Sequence, residues 1–63
     1  MAEVKLKTKE VINVAESFED VEAQLKSKYK FLELTSVFLD LNYQAIEKKI
    51  IIHVNNVLYV EGL

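Results

Sequence analysis

Apolar and polar residues first alternate near the start of the chain. Val4-Lys5-Leu6-Lys7-Thr8 keeps a strict period of two, which puts Val4 and Leu6 on one face and Lys5, Lys7 and Lys9 on the other. That period marks a half-buried strand. Val11-Ile12-Asn13-Val14-Ala15 continues extended, with Ile12 and Val14 in phase with Val4 and Leu6. Glu10 shares that phase, so the segment bends near Lys9–Glu10, either as one kinked strand or as a short hairpin.

The period then changes. Phe18, Val21, Leu25 and Tyr29 are spaced by three and four, the stripe of an amphipathic helix. Ser17 is a suitable N-cap, with Asp20 at the capping-box position. Glu19, Asp20 and Glu22 crowd the first turns, whereas Lys26, Lys28 and Lys30 come last, an order that suits the helix dipole. Glu22 and Lys26 add an i,i+4 pair. The spacing predicts a helix over 18–30.

From Phe31 to Leu41 the chain is rich in strand formers, but its apolar residues occupy both parities. Such a strand is covered on both faces or carries a bulge. Asn42 to Glu47 is expected to connect, with a short helical turn at Tyr43–Ile46. Ile50-Ile51-Ile52-His53-Val54 predicts another strand and Val57-Leu58-Tyr59-Val60-Glu61 a further one. Asn55-Asn56 between them suggests either a hairpin turn or a bulge, because asparagine tolerates positive φ. The expected class is α+β: a single domain over 1–63, β-α-β-β with a possible fourth strand. Its small, mostly antiparallel sheet carries one amphipathic helix on one face.

Composition sharpens this picture by removing chemistry. The 63 residues contain no cysteine and one histidine, which leaves no disulfide, no thiolate metal site and no histidine cluster. With Gly62 the only glycine, no phosphate-binding loop can be built. His53 sits mid-strand between Ile52 and Val54, as a strand histidine rather than a catalytic base. The acids gather at the helix start or stand singly at Glu33, Asp40, Glu47 and Glu61. No catalytic residue, metal site or cofactor is expected, and the chain reads as a non-enzyme. The start of the chain lacks a signal-peptide pattern, and no apolar run approaches the roughly 18 residues that span a bilayer. A cytoplasmic protein without membrane contact is the expectation.

Two features suggest partners. Lys5, Lys7 and Lys9 on one strand face, about 6.6 Å apart, could follow a phosphate backbone as a nucleic-acid accessory site. Glu3 and Glu10 bracket them, and lysines on an exposed strand also discourage sheet-to-sheet aggregation. The second feature is an excess of apolar residues, 51% of a very short chain. One helix cannot cover both faces of such a sheet, and small domains without disulfides or metals commonly rely on a partner. A homo-oligomer, or failing that a protein partner, is therefore expected, with Phe31, Val37, Leu39, Ile51 and Tyr59 at or near the interface. The second half also resembles the small flagellar-operon FlbD family. Leu32-Glu33-Leu34-Thr35 is similar to its opening strand, and Val54-Asn55 with Val57-Leu58-Tyr59-Val60-Glu61 to its closing one. The style of the chain resembles small genes carried by bacteriophages of Gram-positive bacteria. Neither resemblance implies a particular activity.

Overall fold

Residues 1–62 are described by a computed structural model. The first two runs form strands β1 (Ala2–Leu6) and β2 (Val11–Val14), followed by helix α1 (Phe18–Leu25). Strands β3 (Phe31–Leu39) and β4 (Ala45–His53), a 3-10 turn (Val54–Asn56) and strand β5 (Val57–Gly62) complete the chain. The class is α+β, with one antiparallel sheet in the order β4-β3-β2-β1-β5.

The bend expected near Lys9 is a hairpin. The Lys9 N–H donates to the Leu6 carbonyl at 3.0 Å and the Leu6 N–H to the Glu10 carbonyl at 2.8 Å, so Lys7, Thr8 and Lys9 form a three-residue loop. Such loops need a left-handed last residue, and Lys9 supplies it at φ 74°. The β3–β4 connection repeats the device. Tyr43 N–H donates to the Asp40 carbonyl, Asp40 N–H to the Gln44 carbonyl, and Tyr43 has φ 58°. The Asp40 carboxylate fixes this turn by accepting from the N–H groups of Asn42 and Gln44 at 2.8 and 2.9 Å. A helical turn at Tyr43–Ile46 is thereby excluded: Ala45 already belongs to β4.

Helix α1 starts as the sequence implies. The Ser17 hydroxyl accepts from the Asp20 N–H at 3.2 Å, and Glu22 lies 3.7 Å from Lys26. It ends at Leu25, well short of residue 30. The Ser27 N–H and hydroxyl both donate to the Gln24 carbonyl, at 3.1 and 2.7 Å, which diverts the backbone from helical pairing. Tyr29, the expected end of the stripe, is exposed, so no packing holds a longer helix together.

The core lies on the inner face of the sheet. Ala2, Val4, Leu6, Val14, Leu32, Leu34 and Ile52 are buried there together with Val21 of the helix. Each large aliphatic group so enclosed contributes about 1.5–3 kcal/mol. Phe18 packs over the end of β5, where a Cβ on Gly62 would come 3.3 Å from the Phe18 Cβ; the single glycine permits that approach.

Asn55-Asn56 is neither a hairpin turn nor a bulge. The 3-10 turn, which His53 caps by accepting from the Asn55 N–H at 3.1 Å through Nδ1, joins the two opposite edge strands. Across a flat sheet those edges would stand about 19 Å apart, four spacings of about 4.8 Å. Three residues of 3-10 turn advance only about 6 Å. The sheet is therefore strongly curled, and its concave side encloses the core. The Lys7 N–H, donating to the Asn56 carbonyl at 2.8 Å, helps to fasten this closure.

Since Lys9 adopts a left-handed conformation that costs a side-chain-bearing residue about 1 kcal/mol, Lys9→Gly should stabilise the protein by roughly 0.5–1 kcal/mol, less the glycine's own entropy cost. Urea unfolding monitored by circular dichroism measures it; a lower midpoint for the variant would contradict the assignment of this turn.

Candidate interaction surface

The β3–β4 hairpin pairs without interruption from Phe31↔His53 at its base to Leu39↔Ala45 at its tip. This regular register accounts for the mixed parity of β3 without a bulge. Even-numbered residues of both strands face inward and odd-numbered residues face outward, because Leu32, Leu34 and Ile52 lie in the core. Cover on both faces is also absent. On the outer face Phe31, Leu39 and Ile51 are exposed, Ile51 to 68%. Even the inner face is covered only near its base: Phe38 and Ile46, paired across the two strands, retain 45% and 37% exposure. Leu41 and Tyr43 at the loop are exposed to 99% and 85%.

The extent of registered pairing and the reach of the helix explain this. β2 has four residues against nine in β3, and the two meet in register only at Val14↔Ser36. The helix, at eight residues, does not extend the cover to the tip. Where β2 has ended, side chains take over the backbone of β3. The Gln24 amide acts as a strand partner, accepting from the Glu33 N–H at 2.8 Å and donating to the Glu33 carbonyl at 3.0 Å. The Glu16 carboxylate accepts from the Thr35 N–H at 2.8 Å and its hydroxyl at 3.0 Å, while the Ala15 N–H donates to the Thr35 carbonyl.

These contacts also settle the hydrogen-bonding direction of β4. The backbone groups of Glu33 and Thr35 point away from β4, and Asp40 bonds Gln44, so the even-numbered residues of β3 and β4 bond each other. The odd-numbered residues of β4, from Ala45 to Ile51, direct their N–H and C=O groups to the open side of this edge strand.

Partial burial tends to raise the Glu16 carboxyl pKa. The hydrogen bonds from Thr35 and from its own N–H, with the charge of Lys49, outweigh that and hold it below the ordinary 4.5.

Of the residues expected at an interface, Phe31, Val37, Leu39 and Ile51 share the outer face of the hairpin. Tyr59 is on β5 at the far edge of the sheet, opposite Lys5. The sequence pattern missed Tyr43 and Ile46 because it placed 42–47 in a connection, and it did not single out Phe38 and Leu41 within the expected strand 31–41. The lysine row does not form as drawn: β1 ends at Leu6, so only Lys5 lies on a strand face, with Lys7 and Lys9 in the turn. His53 is occupied in capping and packs edge-on to Phe31 with centroids 5.1 Å apart. Among the described residues no three His, Cys, Asp or Glu side chains gather as a metal site, and no helix is long and apolar enough to cross a membrane.

Shallow depressions flank the hairpin base. One of about 690 Å³ is lined by Gln24, Tyr29, Lys30, Phe31, Glu33 and Ile51, and a second of about 500 Å³ includes Glu16, Thr35 and Lys49. Neither brings together a nucleophile, a base and an orienting group. Comparison with family models, curated proteins and solved structures finds no match. The likeness of the second half to the flagellar-operon family thus gains no support.

Replacing Glu16 with Ala should cost about 1–3 kcal/mol at neutral pH, since it strands the half-buried Thr35 N–H. The folded-state pKa is the depressed one. The charge-assisted share of this stabilisation is complete above the unfolded value near 4.5 and is lost as pH falls through the folded value. The gap between the denaturation midpoints of wild type and Glu16→Ala should therefore narrow in acid; a gap independent of pH would refute the charge-assisted bond.

Proposed function

We propose that this chain is a non-enzymatic protein–protein association module that works in the cytoplasm through its β3–β4 hairpin. One observation carries the reading: past the helix and past the one registered β2 pair, Val14↔Ser36, the distal half of the hairpin leaves Phe38 and Ile46 exposed on its inner face, Leu39 on its outer face, and Leu41 and Tyr43 on the loop that joins the strands. Lone exposed apolar residues are ordinary, whereas several gathered at the tip of one open-edged hairpin are characteristic of a surface that is covered in use. The driving force is removal of that surface from water at about 25 cal/mol per Å², less the cost of immobilising the partner. Self-association is the first mode to test, since a chain this small gains most from sharing a core.

Phe38→Ser combined with Leu41→Ser should weaken self-association at least tenfold in sedimentation equilibrium while leaving the thermal midpoint within a few degrees, because neither side chain belongs to the core. A wild type that remains a 7.3 kDa particle at high micromolar concentration, with the variant indistinguishable from it, would defeat self-association as the mode of action.

A further inference from the structure

Resting on that reading and naming its partner, we infer that β4 pairs edge to edge with β4 of a second copy, antiparallel about a two-fold axis through Lys48. The edge is open along its length, and the groups available for pairing are those of Ala45, Glu47, Lys49 and Ile51. In an antiparallel contact between two such edges, these odd-numbered residues must exchange the hydrogen bonds. That restricts the possible registers, and side-chain charge selects among them. Centring the axis on Glu47 or Lys49 sets like charges against each other. Centring it on Lys48 sets Glu47 opposite the partner copy's Lys49, twice by symmetry, with Ala45 opposite Ile51.

The same register extends the apolar rows. On the inner face Ile46 meets Ile50 of the other copy, so each row runs Phe38, Ile46, Ile50 and Leu34 across the junction. Ile46, uncovered in the single chain, then gains a neighbour. The result is one continuous sheet of ten strands, five from each copy. Lys48 alone opposes itself on the axis. That repulsion is the contact in this register that works against pairing, and it yields a test of its own.

Glu47→Lys and Lys49→Glu are exposed substitutions and leave the core intact. Each alone places two like-charge pairs at the junction and should weaken dimerisation at least tenfold in sedimentation equilibrium. Mixing the two variants restores both opposite-charge pairs, so a heterodimer of wild-type affinity should form, and the double variant should dimerise as the wild type does. Lys48→Gln should tighten the dimer severalfold. If the wild type associates and Phe38→Ser/Leu41→Ser disrupts it while the charge variants do nothing, edge pairing is wrong and the hairpin surface stands. If both singles dissociate and the mixture does not recover, the register is wrong. A monomeric wild type overturns the self-pairing outright. Circular dichroism of each single variant verifies that it is folded.

Discussion

A strand cannot leave its backbone groups unpaired inside a protein, and in this chain β3 outruns the neighbour that should pair with it. Nine residues of β3 lie beside four of β2. The side-chain amide of Gln24 and the carboxylate of Glu16 fill the positions at Glu33 and Thr35, each bonding a β3 N–H at 2.8 Å. Leaving the half-buried Thr35 N–H unpaired would cost about 1–3 kcal/mol, a large share of what a domain of this size has in reserve. Much of the rest follows from this arrangement. Gln24 ties the helix to the sheet, and Glu16 holds the segment between β2 and the helix. The helix is thereby kept over the base of the hairpin, where Val21 enters the core.

Because the helix is held at the base, the tip is bare. The proportion of apolar residues looks excessive for a lone helix-covered sheet, and the structure locates the excess. About half of the exposed large apolar side chains lie on the outer face and distal half of one hairpin, whose outer strand β4 is an open edge. Backbone groups that seek partners and side chains that seek cover thus coincide. Glu47, Lys48 and Lys49 give the edge charges of both signs, which a pairing strand must match.

Much of this fold was legible in the chain. The period of two in Val4 and Leu6, the Ser17 cap and the branched run from Ile50 mark elements that the structure contains, and the class is the expected one. What escaped has local physical causes. Lysine and tyrosine at Lys9 and Tyr43 occupy left-handed positions normally signalled by glycine or asparagine, so the first loop read as either a kink or a hairpin and the second was hidden. Ser27 ends the helix through hydrogen bonds that a hydrophobic stripe does not record. Asn55-Asn56 has the composition of a hairpin turn, yet its role is set by which strands lie at the edges, a global property. The surface was half legible: four of its outer residues follow from strand parity, and the tip was lost with the turn.

The short link between opposite edges bears on how the chain reaches this state. β1 is flanked by β2, its neighbour in sequence, and by β5, the last strand among the described residues. The β1–β2 and β3–β4 hairpins need only local contacts and can form as soon as their residues leave the ribosome. Docking of β5 closes a loop spanning nearly the whole polypeptide, a slow step with a large entropic cost. Until then β1 has a naked margin during translation, and a chain stalled before Val57 would remain sticky however well its hairpins had formed.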